Sequence, residues 1–315
     1  MNLNLKNSEF NFVYCIDNNF TKQAMTSLIS LLNCINEKIN IFIIHHKNCE
    51  FLPYKELIFD HKNINCIDFF EHTDEFKDFP NIDGTHITEA TYYRLFIEKY
   101  LPKSVNSAIY LDADTICINN PLNDLRTELR KLLNSTCLIS AKTEKIFSSD
   151  DAIFNRLQMD KNYFNAGVMI IDLDKWRRGE YLNLLFKRLE EIRNEIVHWD
   201  QDLLNSLING NYIDLNKNFN FEASKITEKN DLKNILFIHY LGSKKPWLSS
   251  GLFKYDALFY QNNFKKIGKR RYHIEHKWKK QSIKDLFSGG IIKNLKFVDK
   301  PLTFLWNFTL SLFSK

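Results

Sequence analysis

SAIYLDADTICINNPL, residues 107–122, predicts the centre of the fold. Residues 108–111 form an apolar run that is too short for a helix and is typical of a buried strand. The run leads directly into Asp112, Ala113 and Asp114. In an open α/β sheet the carboxyl end of a strand faces the ligand crevice, so two carboxylates placed there can meet a cation that carries a phosphorylated ligand.

The Asp-x-Asp pattern alone does not establish a metal site. It occurs more than once in this chain, and aspartates that follow strands often cap turns or helices instead. The pairs are Asp112/Asp114, Asp172/Asp174 and Asp200/Asp202. The first pair is favoured as a metal site because it directly follows a predicted buried strand.

The composition predicts a globular cytoplasmic protein. With 315 residues, 44% of them hydrophobic, the chain can bury a substantial core as one large domain or as one domain with an appendage. All six cysteines lie in the first half, mostly within apolar runs and without CxxC spacing, which favours reduced thiols over a disulfide framework. No secretory signal is visible at the N-terminus.

Positive charge is concentrated at the C-terminal end. Residues 252–315 contain 14 Lys and Arg against 4 Asp and Glu, although the whole chain has a net charge of only +5. Such a basic tail points to an acidic partner, either a membrane surface or a nucleic acid. Residues 302–313, LTFLWNFTLSLF, are too short to span a bilayer and suit an interfacial helix anchored by Trp306. This run favours the membrane over nucleic acid.

The N-terminal part has a strand–helix–strand order. Residues 12–16 and 39–44 are short apolar runs typical of strands, and leucines between them recur at helical spacing. Such a βαβ unit joins parallel strands by a right-handed crossover, and residues 64–70 predict a third strand. Neither a dinucleotide-binding glycine motif nor a P-loop follows these strands, which argues against both classes.

Several later residues are candidates for the predicted crevice, each with a structural alternative. Arg94, in a helix predicted between residues 83 and 101, is either ion-paired or a clamp for phosphate or carboxylate. Asn165 is either a turn residue or a ligand contact. Gly167, just before the buried strand predicted over 168–171, allows close approach of the backbone.

Two segments in the second half bring further polar groups. Residues 199–202, WDQD, begin a helix, and their acidic and amide groups either cap it or face the crevice. His239 ends an apolar run and precedes a loop with Gly242 and Lys245. It is therefore either a buried core histidine or a metal ligand beside a phosphate-binding loop.

Four segments, taken together and in this order, resemble the signature blocks of glycosyltransferase family 8. The family includes bacterial lipopolysaccharide α-galactosyl- and α-glucosyltransferases and, more distantly, glycogenin. The segments are YLDADTICINNPL (110–122), FNAGVMIIDLDKWR (164–177), HWDQDLLN (198–205) and HYLGSKKPW (239–247). The likeness extends over residues 12–247. The four segments in this order, rather than any one of them, are specific to the family.

The resemblance implies an α/β fold of the GT-A type, a Rossmann-like nucleotide-sugar-binding domain with a mixed central sheet. This domain is expected in residues 1–250, and a basic, aromatic, helical membrane-attachment region in residues 251–315. The resemblance also implies UDP-galactose or UDP-glucose as donor, Mn²⁺ or alternatively Mg²⁺ as cofactor, and retention of the anomeric configuration.

Carried over to this sequence, the resemblance assigns a metal site to Asp112, Asp114 and His239. A second set of residues is assigned to the nucleotide-sugar donor: Asp17, Asn19, His86, Arg94, Ala113, Asn165, Gly242 and Lys245. Asn18 departs from the pattern, because some members have a second Asp there.

Asp200 and Gln201 match donor-sugar contacts and are the predicted catalytic pair. In a front-face reaction Gln201 would stabilise the positive charge that develops on the sugar, and Asp200 would hold sugar hydroxyls. Double displacement through an aspartate nucleophile remains the alternative.

These expectations predict a hexosyltransferase that acts on a lipopolysaccharide or lipooligosaccharide core and is peripherally attached to the cytoplasmic face of the inner membrane. One alternative keeps the chemistry but uses a protein or cytosolic glycan acceptor. Another, from a different class, is a nucleic-acid-binding protein that uses the basic tail. The choice between galactose and glucose, the linkage and the oligomeric state are open at this stage.

Overall fold

A seven-stranded mixed β-sheet forms the centre of this computed structural model, and a smaller three-stranded sheet lies beside it. The structure describes residues 8–73, 89–145, 151–160, 162–229, 232–268, 271–288 and 290–313. In chain order the strands are β1 (Asn11–Ile16), β2 (Ile39–His45), β3 (Ile64–Glu71), β4 (Ser107–Leu111), β5 (Thr115–Cys117), β6 (Ile139–Thr143), β7 (Phe164–Asp172), β8 (Ile213–Asp214), β9 (Phe221–Glu222) and β10 (Phe237–His239).

The large sheet has the order β3-β2-β1-β4-β7-β6-β8. β1 is parallel to β2 and β4, whereas β7 is antiparallel to β4 and β6, with Leu111 paired to Val168. The carboxyl ends of β1 and β4 therefore meet the amino end of β7 at one edge. This arrangement confirms the parallel N-terminal strands, and it brings the polar residues that begin β7 to those that follow β4.

The small sheet brings a C-terminal histidine to the central strand. β10 pairs antiparallel with β5, which places His239 opposite Thr115. The backbone N–H of Tyr240 also donates to the carbonyl oxygen of Asp114 at 3.1 Å. Residues that are far apart in the sequence thus meet directly beyond the end of β4.

Helices cover both faces of the large sheet. The leucines predicted at helical spacing, Leu28, Leu31 and Leu32, are buried in the first of these helices. In chain order the α-helices of the described chain are α1 (Thr21–Cys34), α2 (Ile97–Tyr100), α3 (Leu122–Leu133), α4 (Asp151–Leu157), α5 (Leu173–Arg178), α6 (Tyr181–Ile192), α7 (Trp199–Ile208), α8 (Ser249–Leu252), α9 (Ala257–Ile267), α10 (Lys279–Phe287), α11 (Ile291–Asn294) and α12 (Pro301–Phe313).

Two helical regions differ from the sequence-based prediction. The helical periodicity of residues 176–194 predicts one amphipathic helix, but the structure divides this region into α5 and α6, because Glu180 between them has a φ of +49°, outside the helical region. In the region 83–101, the described part is a 3₁₀ helix, Glu89–Phe96, that continues into α2. Residues 83–88 lie outside the described residues.

The start of the basic C-terminal part packs on the body of the protein. Tyr260, Phe264 and Ile267 of α9 join the core cluster that contains α1 and the sheet. A separate cluster, which includes Phe304 and Phe308, holds the later helices together. The division of the chain at residue 250 remains a prediction. No helix within the described ranges is long and apolar enough to cross a bilayer.

Candidate functional site

A cleft of about 460 Å³ opens at the sheet edge where β1 and β4 end and β7 begins. Its size is within the usual range for small-molecule sites. Most of the predicted site residues line it: Arg94, Asp112, Ala113, Asp114, Asn165, Asp200, Gln201, His239, Gly242 and Lys245.

Two of the described predicted residues, Asp17 and Asn19, are not brought into this cleft. Asp17 caps the turn that precedes α1, and its Oδ1 accepts from the backbone N–H of Asn19 at 2.9 Å. Neither of them lines the cleft, although their neighbours Ile16 and Phe20 do. His86 lies outside the described residues.

Two carboxylates and one imidazole converge at one wall of the cleft. Nε2 of His239 lies 3.2 Å from Oδ1 of Asp114 and 3.7 Å from Oδ2 of Asp112. The ligand atoms of the three residues lie within 4.8 Å of one another. This mixed oxygen and nitrogen donor set can hold a divalent transition-metal ion.

The second oxygen of each carboxylate is held by the protein. Tyr110 donates to Oδ1 of Asp112 at 2.6 Å, and Lys245 Nζ lies 2.5 Å from Oδ2 of Asp114. One oxygen of each aspartate therefore remains directed towards His239. Burial acts to raise the pKa of Asp114, but Lys245 and His239 outweigh it and hold that pKa well below its usual range.

A glycine makes room for this cluster. A Cβ atom at Gly167, which lies in β7, would be 2.1 Å from Cε1 of His239 and 2.9 Å from Oδ2 of Asp112. Both contacts are much closer than van der Waals distance, so only glycine allows the imidazole to lie against this strand.

Arg94 is buried between two carboxylates. Its Nη2 lies 3.1 Å from Oδ1 of Asp112 and its Nε 2.8 Å from Oδ2 of Asp200. Its Nη1 donates to the carbonyl oxygen of Ala166 at 2.7 Å, and its guanidinium lies 4.4 Å from the ring centre of Tyr110. Burial acts to lower the pKa of Arg94, but the two carboxylates raise it above its usual value, so the group is charged.

The two oxygens of the Asp200 carboxyl have different partners. Thr91 donates to Oδ1, whereas Oδ2 accepts no aligned hydrogen bond, because the nearby Nε–H of Arg94 points to the carbonyl oxygen of Thr91. Oδ2 is buried in the wall of the cleft and lies 2.8 Å from Nε of Arg94, so the ion pair balances its charge although no aligned hydrogen bond reaches it.

Asp202 and Gln201 fix the start of α7. Asp202 is buried and accepts from Arg156, Tyr163 and the backbone N–H groups of residues 197 and 198. The side chain of Gln201 accepts from the backbone N–H of Ala166 at 3.0 Å and donates to Tyr163 at 3.0 Å. Its amide is therefore held against β7 at the cleft.

Sequence reasoning missed several residues of this site. Tyr110 precedes Asp112 by two positions, and the period of two along a strand could have placed both on one side. Thr91 stands one helical turn before Arg94. Asn220, which contacts both His239 and Asn165, has no local signal in the sequence.

The buried carboxyl of Asp200 predicts a pH-dependent stability. Burial raises its pKa from 3.8 to about 6, although Arg94 acts in the opposite direction. A carboxyl with a raised folded-state pKa stabilises the fold fully below its unfolded pKa, and this contribution is lost as the pH rises through about 6. Relative to Asp200→Asn, the wild-type free energy of unfolding should fall by on the order of 3 kcal/mol between about pH 4 and pH 7.

Urea denaturation of the metal-free proteins at a series of pH values measures this difference. The half-buried Asp174, which belongs to another Asp-x-Asp pair and lies outside the cleft, provides the control variant Asp174→Asn. A pH-independent difference between wild type and Asp200→Asn would show that the pKa of Asp200 is not raised.

The chain is similar in sequence to known lipopolysaccharide glycosyltransferases. A lipopolysaccharide 1,3-galactosyltransferase of Salmonella typhimurium is 26% identical over 267 residues, covering 80% of this chain and 77% of the relative. A lipopolysaccharide 1,2-glucosyltransferase of Escherichia coli is 27% identical over 261 residues, covering 78% and 75%.

The crystal structure of the galactosyltransferase LgtC with donor and acceptor sugar analogues has the same fold. Its TM-score is 0.69 at 20% identity, and the match covers 87% of this chain and 100% of that chain. This likeness confirms the predicted GT-A type of α/β fold. The model of glycosyl transferase family 8 matches residues 11–251, and the chain therefore belongs to that family.

Proposed function

We propose that the protein transfers galactose or glucose from a UDP-sugar to the core of a lipopolysaccharide or lipooligosaccharide, with a divalent cation and with retention at the anomeric carbon. The observation that carries the proposal is the convergence of Asp112, Asp114 and His239 beside Lys245 in the cleft of a family 8 glycosyltransferase. The names of the relatives favour this acceptor class.

The cluster of Asp112, Asp114 and His239 suits Mn²⁺, with Mg²⁺ as the alternative, because imidazole is a poor partner for purely oxygen-preferring ions. A bound cation would supply charge neutralisation for the departing diphosphate. Lys245 adds a fixed positive charge next to the cluster. Gly242, in the same loop, has a φ of +71°, which permits the tight turn there.

The residues on the opposite side of the cleft would hold the sugar. Oδ2 of Asp200 would accept a sugar hydroxyl, and Gln201 would direct its amide oxygen towards the positive charge that develops at the anomeric carbon. The amide of Gln201 cannot easily act as a nucleophile, and Asp200, which is held by Arg94 and Thr91, is placed to bind a sugar hydroxyl. The front-face route is therefore favoured over double displacement.

The C-terminal helices would attach the enzyme to the cytoplasmic face of the inner membrane. Trp278 and Trp306 are 71% and 64% exposed, and Phe287 and Phe313 are exposed as well. Basic residues lie among them, and each basic residue near an anionic surface contributes about 1 kcal/mol to binding. Such a surface would bring the cleft to a glycolipid acceptor.

The metal cluster can be tested with four variants. Asp114→Asn and His239→Ala each remove a ligand, and Gly167→Ala displaces the imidazole, because the added Cβ would lie 2.1 Å from its Cε1. Each should weaken Mn²⁺ binding by about 10-fold or more and weaken UDP binding with it, as measured by electron paramagnetic resonance and calorimetry. Asp174→Asn is the matched control. Full Mn²⁺-dependent activity of folded Asp114→Asn would exclude this metal site.

The stereochemistry can be tested on the reaction product. Gln201→Ala should retain weak activity, because it removes a stabilising dipole and no covalent step, and both enzymes should form an α-linked product from an α-linked donor. Proton NMR of the product measures the anomeric coupling. A β-linked product would exclude retention, and a trapped glycosyl-Asp200 would replace the front-face route with double displacement.

Membrane attachment can be tested with vesicles. Trp306→Ala should reduce binding to anionic vesicles without affecting the fold, because this side chain is largely exposed. Leu52→Ala, on the exposed surface of the body, is the control. Binding should weaken with salt and disappear on neutral lipid. Salt-sensitive binding to RNA without binding to anionic vesicles would instead support the nucleic-acid alternative.

A further inference from the structure

A buried asparagine connects the metal cluster to the sugar side of the cleft. Asn220 is 1% exposed and lies just before β9, outside the segments that suggested the family. Its Nδ2 donates to Oδ1 of Asn165 at 2.8 Å, and its Oδ1 lies 2.9 Å from Nδ1 of His239. One side-chain amide thus contacts both a residue of the metal cluster and a residue assigned to the donor.

The donor and acceptor roles in these side-chain hydrogen bonds follow from one backbone N–H group. The N–H of Gly167 can only donate, and it lies 3.0 Å from the side chain of Asn165, so the atom that faces it is the oxygen Oδ1. The same Oδ1 also faces Asn220, which must therefore present its NH₂ group. Asn220 in turn presents its oxygen to His239.

Because Asn220 presents its Oδ1, which can only accept, Nδ1 of His239 must carry the proton of this hydrogen bond. Nε2 is then the nitrogen that faces Asp112 and Asp114, where it can bind a cation through its lone pair. Histidines that bind metals commonly donate their other N–H to an oxygen in this way.

We propose that Asn220 is the positioning residue of this site: it keeps Nε2 of His239 directed at the cation position and the NH₂ group of Asn165 directed at the donor. The inference rests on the proposed metal-dependent function and adds to it a residue that sets both contacts together. It also defines the chemistry at Asn165, which would donate to an oxygen of the sugar or the phosphate.

The position of Asn165 supports this assignment. Asn165 lines the cleft, and its Oδ1 is used by Gly167 and Asn220. Within the described part of the chain, its Nδ2 has no hydrogen-bond partner. An acceptor atom of a ligand is therefore the group that would complete its hydrogen bonding.

Two substitutions separate the two contacts of Asn220. Asn220→Asp keeps an oxygen for Nδ1 of His239 but places a second oxygen against Oδ1 of Asn165, where two acceptors repel. It should retain Mn²⁺ affinity and lose affinity for UDP-hexose relative to UDP. Asn220→Ala removes both contacts and should weaken Mn²⁺ binding by about 10- to 100-fold. Electron paramagnetic resonance of free Mn²⁺ and calorimetry in saturating Mn²⁺ measure the two affinities.

A second asparagine controls for loss of stability. Asn63 is buried and donates to the carbonyl oxygens of Leu32 and Ile35, at the opposite end of β3 from the cleft. Asn63→Ala should lower the melting temperature without changing Mn²⁺ affinity. A wild-type Mn²⁺ affinity in folded Asn220→Ala would overturn the inference.

Nitrogen-15 NMR of histidine-labelled protein gives a readout that does not depend on metal binding or activity. His239, assigned with His239→Ala, should carry a proton on Nδ1 whether Nε2 is protonated or not. Observation of the form protonated only on Nε2 would overturn the inference. If the wild-type protein bound no Mn²⁺, the proposed function would fail, and the NMR result would still decide the role of Asn220.

Discussion

The burial of one guanidinium group governs the arrangement of the cleft. Arg94 contacts Asp112 after β4, Asp200 in α7 and the carbonyl oxygen of Ala166 in β7. A buried charge is stable only when partners replace the water that it has lost, and removal of one partner of a buried pair typically costs about 3–5 kcal/mol. The elements that line the cleft are therefore held in register by a single side chain.

The protein itself holds the carboxylates around this arginine in fixed orientations. Asp112, Asp114 and Asp200 each have one oxygen held by the protein, through Tyr110, Lys245 and Thr91 respectively. The remaining oxygens of Asp112 and Asp114 face His239, and that of Asp200 faces Arg94. Groups that are already oriented need little reorganisation when charge develops during a reaction, which is the main source of electrostatic stabilisation in enzymes. The buried Oδ2 of Asp200 has no aligned hydrogen bond, which costs some of the free energy of folding at this position.

The C-terminal part contributes to the cleft as well as to the exposed surface. Gln261 of α9 donates to the carbonyl oxygen of Pro246, next to Lys245. Trp247, at the end of the same loop, packs on the rings of Tyr260 and His273. The first helix of the basic region thus supports the loop that carries Lys245, whereas the exposed aromatic residues lie in the later segments.

The strands of the N-terminal βαβ unit, the family and most of the residues that line the cleft could be predicted from the sequence alone. These predictions rest on local signals. A short apolar run followed by Asp112 and Asp114 predicts a buried strand with carboxylates at its end, because side-chain direction along a strand depends only on the period of two. The signature segments around Asn165, Asp200 and His239 extended this prediction across the chain.

Which atoms of those residues meet depends on how the chain packs. The antiparallel course of β7 brings Gly167 against His239, and the ion pairs assign Arg94 to two carboxylates, one of them far away in the sequence. Asn220 could not be predicted, because its role depends on contacts with distant residues and not on its neighbours. Hydrogen-bond direction and burial are properties of the packed molecule, and no local sequence pattern encodes them.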